Sequence, residues 1–512
     1  MASPLNPVSI GAPGSLGLNT KFAGLEIGPD FCVSARNCIV SDAGTLASRK
    51  GWSTFIGVSP LAGDPDVEAI HEYIDNNKTS RIIWAGGGEI KEGTNTIVDI
   101  APSLTPADNH WKFQDFNGKV VGVQAGENPI VKVDGGDFSE ISFDTAPNSP
   151  KEVLAAWGRV WYVEGQGQNI KYSDLLQESV LTSGSSGQIN MFTVWSNGAD
   201  EIIGLQEFNN YLVIFGRKQI VLYSGAEDPN SSLQLADIID NTGCIARDSI
   251  QNVGNDIIFL GEEGIISLAR NIQAGGSVRS LPLANLSDNA ASFLTKFSLT
   301  EVPKKIKSCY KSDDGFYLIS FPTSKVTFYL NLKYKTEDGR ARVFPWYGIN
   351  PTALHVDRFD RMYVGKPGYL GLYGEYKDNG SPYNFSFKTG WVSGQGSSSL
   401  SRKIPKQAIV TVAGGYGSSL QLSWSYDFLT TTYDAETNEI AIELAPAEYG
   451  VGEYGIAEYS RLNVVDQVSY RMSGSGKSLQ IGAESEIQGS ELNIQKIDLY
   501  FKGGSIARRG KK

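Results

Sequence analysis

The chain has 512 residues, with 57 Gly, 9 Trp, 23 Tyr and 22 Phe against only 4 Met, a mixture of turn formers and strand formers. Its net charge of −11 argues against a protein that holds nucleic acid by neutralising phosphates over a broad surface. Cys32, Cys38, Cys244 and Cys309 show no CxxC spacing and are too few for a disulfide scaffold, so they read as reduced, buried thiols. No apolar stretch is long enough to span a bilayer, and the opening MASPLNPVSIGAPGSLGLNT lacks a basic region followed by an apolar one, so neither a membrane span nor a signal peptide is expected.

Residues 1–65 carry few strand signals and are expected to form an extended arm that docks elsewhere. From residue 66 to 376 one pattern recurs seven times: a polar turn, an apolar strand, a Gly-rich turn and a second apolar strand. The first strongly apolar residues of these hairpins are Ile82, Val120, Val160, Leu212, Ile257, Phe316 and Met362, spaced 38 to 59 residues apart. That spacing suits four-stranded blades with insertions, and predicts an all-β fold built on a β-propeller of six or seven blades. Rungs of a β-solenoid would be shorter and more regular. The longest step holds the one helical signal, Ser287 as N-cap before Asp288–Phe297.

The hairpin pattern ends near Tyr376, and the Gly/Ser-rich stretch Trp391–Lys403 marks a change of domain. Residues 377–512 alternate polar and apolar positions as antiparallel strands do, which predicts a β-sandwich-like C-terminal domain. Within it, residues 427–460 form a long acidic excursion without Lys or Arg, in which Glu448/Tyr449, Glu453/Tyr454 and Glu458/Tyr459 recur every five residues. The chain's closing cluster Arg508, Arg509, Lys511 and Lys512 reads as a solvated terminus.

Catalytic chemistry finds little support. The three histidines, His71, His110 and His355, fall in no HExxH pattern, and no G-x-S-x-G elbow is present, so no cofactor, metal site or catalytic residue is expected. SGSGKS at Ser473–Ser478 has Arg471 where a P-loop needs glycine, and LQIGAES after it reads as a strand, where phosphate cradling needs a helix. A hairpin turn is the better reading.

The most specific stretch is GLNTKFAGLEIGPDFCVSARNCIVSDAGTLASRKGW, Gly17 to Trp52. With Asn19 in its opening GLNT, then Asn37 and the G-x-L-x-x-R-x-G of Gly44, Leu46, Arg49 and Gly51, it resembles the start of tail nozzle proteins, also called tail stabilisation or tail tubular proteins, of short-tailed bacteriophages. Glu201–Gly225, Thr242–Ile250 and Ile487–Gly504 extend the resemblance over nearly the whole chain.

The resemblance implies a non-enzymatic virion protein assembled in the host cytoplasm, present as a homo-hexamer below a tail adaptor ring. It would carry contacts to tail fibres or spikes, and viral DNA would pass through its lumen. On that basis Asp434, Glu436, Glu439, Glu443, Glu448, Tyr449, Glu453, Tyr454, Glu458 and Tyr459 are the candidate channel or constriction residues, and Asn19, Asn37, Gly44, Leu46, Arg49 and Gly51 the candidate assembly motif. An acidic wall does not trap phosphates. The alternative is a glycan- or receptor-binding propeller, whose platform Trp84, Trp111, Trp157 and Trp161 would form if exposed.

Overall fold

A computed structural model describes residues 6–55, 61–75, 77–93, 97–102, 110–196, 198–273, 284–393, 402–429, 432–434, 438–440 and 465–503. The chain divides into two compact units. One comprises Thr54–Thr327 and Asn350–Tyr373, the other Met1–Ser53, Phe328–Ile349 and Gly374–Lys512.

The first unit is a propeller. Blade 1 runs Ala69–Ile74, Ser80–Gly86, Glu89–Glu92, Val98–Asp99; blade 2 runs Lys112–Phe116, Lys119–Val123, Ile130–Val133, Phe138–Glu140. Blade 3 runs Glu152–Ala156, Arg159–Val163, Asn169–Tyr172, Gly187–Asn190, and blade 4 Ile202–Phe208, Tyr211–Gly216, Gln219–Ser224, Gln234–Asp240. Among the described residues blade 5 runs Gln251–Asn252, Ile257–Gly261 and Gly264–Ser267. Blade 6 opens with Lys307–Lys311 and Phe316–Phe321, and blade 7 with Leu354–Val356, Met362–Lys366 and Tyr369–Gly374. Each of the seven predicted hairpins falls within one of these blades, and seven blades are present among the described residues.

The turns explain why. Asn117 and Gly118 join Phe116 to Lys119, Trp157 and Gly158 join Ala156 to Arg159, and Asn209 and Asn210 join Phe208 to Tyr211. Both central residues of each have positive φ, the two-residue geometry whose twist matches paired strands.

First strands of successive blades lie side by side, blade 1 beside blade 2, 2 beside 3, 3 beside 4, 5 beside 6 and 6 beside 7. Blades 4 and 5 meet at Gly204, where a Cβ would fall 2.6 Å from Ile250 Cδ1, and Leu354–Val356 returns to Ala69–Ile74. The segment leading into blade 1 also holds the closing blade: the N–H of Phe55 donates to Leu370 O, and the Phe55 ring stands edge-on to Tyr363.

Apolar clusters fill the gaps between blades. Trp161 and Ile170 of blade 3 pack with Leu212 and Val221 of blade 4, and Trp84 of blade 1 with Tyr363 and Leu370 of blade 7. A sheet covered on both faces has no polar side to show, which is why Arg159–Val163 and Ile257–Gly261 are buried at every position. Each such Val, Ile or Phe contributes about 1.5–3 kcal/mol of burial.

The predicted helix is present as Ala291–Ser298 behind a turn at Asp288–Ala290. Ser287 precedes it without a side-chain cap; its Oγ instead accepts from the Ile265 N–H at 3.0 Å.

The second unit is a sandwich of two antiparallel sheets. One orders Cys38–Val40, Leu46–Ser48, Leu492–Gly503, Lys403–Gly414 and Val465–Arg471, with Asn6–Gly11 also on Leu492–Gly503. The other orders Cys32–Arg36, Tyr383–Thr389, Ser478–Ile487, Ser419–Tyr426 and Tyr433–Asp434, with short strands Val392–Ser393 and Asn438–Glu439 added. Here the alternation is visible, because only one face of each sheet is covered: Leu420, Leu422, Trp424 and Tyr426 are buried. In Leu492–Gly503 the buried set shifts from Leu492 and Ile494 to Ile497, Leu499 and Phe501, and a bulge opposite Thr411/Val412 accounts for the change of phase. Tyr470 of the first sheet reaches across to donate to Leu420 O of the second at 2.6 Å.

The N-terminal region departs from expectation. It supplies strands to both sheets, with Asn6–Gly11 antiparallel to Lys496–Phe501 and Cys32–Arg36 on Tyr383–Thr389. It is a constituent of the sandwich, so the sandwich is not formed by residues 377–512 alone.

Candidate functional site

Arg49 is fully buried in the sandwich unit. Its guanidinium has five N–H donors, and five bonds are made: Nε to Asn37 Oδ1 at 3.0 Å, Nη1 to Lys50 O at 2.9 Å and Asp378 Oδ1 at 2.8 Å, Nη2 to Tyr347 O at 2.9 Å and Asp378 Oδ2 at 2.6 Å. The Tyr383 ring lies 4.1 Å from the guanidinium carbon.

Asn37 holds the left-handed conformation that Asn tolerates, φ +57. Its Oδ1 also accepts from the Tyr347 N–H at 2.7 Å, and its Nδ2 donates to Asn384 O at 2.7 Å. Gly51 is required by contact, since a Cβ there would stand 2.0 Å from Lys377 O. Gly44, at φ +76, closes the turn between Val40 and Leu46, and Leu46 is buried. Asn19 is buried and caps its own turn, its Oδ1 accepting from Lys21 and Phe22 N–H. The candidate assembly motif is therefore drawn largely into the unit's interior, with Gly44 left in a turn.

Of the candidate channel residues, Asp434 is exposed on a short strand paired with Ser423, and Glu439 pairs along the backbone with Ser419. Glu436, Glu443, Glu448, Tyr449, Glu453, Tyr454, Glu458 and Tyr459, like the basic terminus, lie outside the described residues. The SGSGKS segment is the turn between Val465–Arg471 and Ser478–Ile487; the N–H groups of Lys477 and Ser478 both donate to the Asp427 carboxylate, at 2.7 and 3.0 Å.

A second polar centre, unforeseen in the sequence, lies at the propeller axis. Arg247, just before blade 5, reaches across the ring: Nη1 donates to Lys151 O at 2.8 Å, and Nη2 to Trp111 O at 3.3 Å and His110 O at 3.4 Å. Asp248 Oδ1 accepts from Arg247 Nε at 2.8 Å, while its Oδ2 takes Lys307 Nζ at 2.6 Å and His110 Nε2 at 3.1 Å. Glu152, 2% exposed, stands 3.4 Å behind Arg247. One cluster thus ties blades 2, 3, 5 and 6 together across the axis.

The charges set the protonation states. Burial raises the Asp248 carboxyl, but the Arg247 and Lys307 charges outweigh it and hold the group well below the usual carboxylate range. Burial, then the same two cations, push His110 down to about 3, so it is a neutral imidazole donating to Asp248.

Beside this brace is a cavity of roughly 350 Å³, walled by first strands: His71, Lys112, Gln114, Gln206, Lys307 and His355 among them. His71 pairs with Asp115 at 2.8 Å and its ring centre lies 6.2 Å from that of His355. Burial, then His71, push His355 down to about 3. All three histidines of the chain therefore gather around one axis. Among the described residues no group of three His, Cys, Asp or Glu is arranged to hold a metal ion.

The proposed glycan platform is not on the surface: Trp84 and Trp161 are fully buried, Trp111 is 4% exposed, and Trp157 is partly buried with Nε1 donating to Asn210. The four cysteines are buried and free.

No family model matches the chain. No curated protein matches it either. Among solved structures, the computationally designed Ika8 protein aligns over 63% of this chain and 99% of its own, at 12% identity and a TM-score of 0.37. The Pan2 WD40 domain of Neurospora crassa aligns over 64% and 96%, at 10% identity and 0.39. The WD40 β-propeller domain of Doa1 aligns over 63% and 96%, at 10% identity and 0.37. Scores this low carry no functional argument, and the propeller is read from its own closed ring of sheets.

Proposed function

We propose that this chain is a structural subunit of the tail nozzle of a short-tailed bacteriophage, six copies of which extend the channel below an adaptor ring, hold the packaged genome in place and conduct DNA at ejection. The observation that carries the reading is the segment Gly17–Trp52. Its nozzle-like residues Asn37, Leu46, Arg49 and Gly51 are those on which the sandwich is built, so the resemblance falls on scaffold that a related fold would have to keep. The negative charge supports it in a second way, since a wall poor in cations does not slow a passing phosphate chain.

In this reading the DNA path runs among subunits, because Arg247 and Asp248 cross the axis of the single propeller. In the same proposal, part of the acidic tract Asp434–Glu458, most of it outside the described residues, would face that lumen or form its constriction. Negative-stain imaging and native mass measurement of the purified chain, alone and with an adaptor ring, are expected to give six-fold rings. A chain that stays monomeric in both settings, or a reconstruction with the acidic tract on the outer surface, overturns the subunit assignment or the lumen assignment respectively.

A further inference from the structure

We infer that the axial cavity of the propeller is a binding site for a small oxyanion, the phosphate or carboxylate group of a molecule of metabolite size. This goes beyond the nozzle reading and rests on the propeller unit alone. At roughly 350 Å³ the cavity falls in the size range of small-molecule sites, and its walls are first strands locked between neighbouring blades, which gives the fixed geometry a site needs.

The charge pattern selects the ligand. Each acid near the cavity already has a partner: Asp248 takes Arg247, Lys307 and the neutral His110, Asp115 is hydrogen-bonded to His71, Glu152 lies against Arg247, and the field of Glu68 falls on Lys307. Lys112 is the exception. Lys112 lines the cavity, and its ammonium has no hydrogen bond or ion pair among the described residues, although its field falls on the buried Glu152 and on His355. Gln114 and Gln206 line the same space, and their carboxamides also make no side-chain hydrogen bond among the described residues.

An ammonium without a hydrogen-bonding partner and two amide side chains lining one partly enclosed space are complementary to an oxyanion, which accepts bonds from both kinds of group. A cation would meet carboxylates that are already paired. His71 and His355 stand in the same wall and report on its occupancy.

The test is titration of the full-length chain with inorganic phosphate and, separately, with acetate, at constant ionic strength made up with chloride. With only three histidines in the chain, selectively labelled imidazoles give signals that single His→Gln variants assign. Saturable shifts of the His71 and His355 signals are expected with one or both anions, and which anion saturates identifies the group preferred. Lys112→Met is expected to weaken binding about tenfold, the loss of one charge-assisted hydrogen bond, while Lys325→Met on an exposed turn changes nothing. Shifts that never saturate with either anion overturn the site, as does equal binding by Lys112→Met and the parent. Should Lys112→Met fail to fold, Gln206→Leu takes its place with the same two outcomes.

Discussion

Arg49 in the sandwich and Arg247 in the propeller are both buried, yet they are neutralised differently. Arg49 faces one carboxylate in a bidentate pair, and its remaining N–H groups end on Asn37 and two backbone carbonyls. Arg247 shares its carboxylate with Lys307 and His110, and a second acid stands behind it. The first arrangement holds one strand connection in one geometry. The second gathers four blades around an imidazole that the fold keeps from protonating. A closed pair fixes structure, whereas a shared one couples structure to protons.

The largest effect should come from breaking the closed pair. Arg49→Met leaves Asp378 without its cation and strips hydrogen bonds from Asn37 and the carbonyls of Lys50 and Tyr347. A loss of about 4 kcal/mol is expected in the sandwich unit, against a smaller loss in the propeller for Arg247→Met, where Lys307 and His110 still face Asp248. Hydrogen exchange of strand amides, followed separately in the two units, measures both. Equal losses would remove the distinction.

The next effect is pH dependence confined to the propeller. His110 and His355 are held down to about 3 when folded, whereas a histidine in the unfolded chain titrates near 6.5. Above about pH 6.5 both states carry neutral imidazole and nothing is lost. As pH falls below that value the unfolded chain takes up protons that the folded one refuses, so stability declines, by about 2 kcal/mol for His110 at pH 5. Asp248 adds its own loss at lower pH, when its depressed carboxyl finally protonates. His110→Gln should remove about half of the slope between pH 6.5 and 5 in the propeller amides, His355 keeping the rest, and the sandwich amides should show no such slope in either protein.

The smallest effect sharpens the comparison at a turn. Trp157 holds φ +51, costly for an aromatic residue, and is anchored by its bond to Asn210. Trp157→Gly relieves the backbone and forfeits that bond and its packing on Trp161, so a net change within about 1 kcal/mol is expected in thermal or chemical unfolding.

The propeller was legible in the sequence because two-residue turns such as Asn117-Gly118 leave a strong local signal, repeated blade after blade. The first strand of each blade left a weak one, since residues such as Lys112 and His71 interrupt its apolar run. Those interruptions are the axial site. Its members lie far apart in the chain and meet only because the ring closes, and no spacing rule reports a meeting of that kind. The arm reading of Gly17–Trp52 went astray for a related reason: short strands such as Cys38–Val40 and Leu46–Ser48 earn their pairing from Leu492–Gly503, hundreds of residues away.

The neutral histidines at the axis also alter how the folded molecule migrates in an electric field. The sequence-average isoelectric point of about 5.0 treats each imidazole as free to charge. With His110 and His355 refusing protons at that pH, the native chain is more negative there than its composition implies. Native isoelectric focusing should therefore place it on the acidic side of the band formed in urea, and the interval between the two bands reads, in protons, how tightly the propeller is shut.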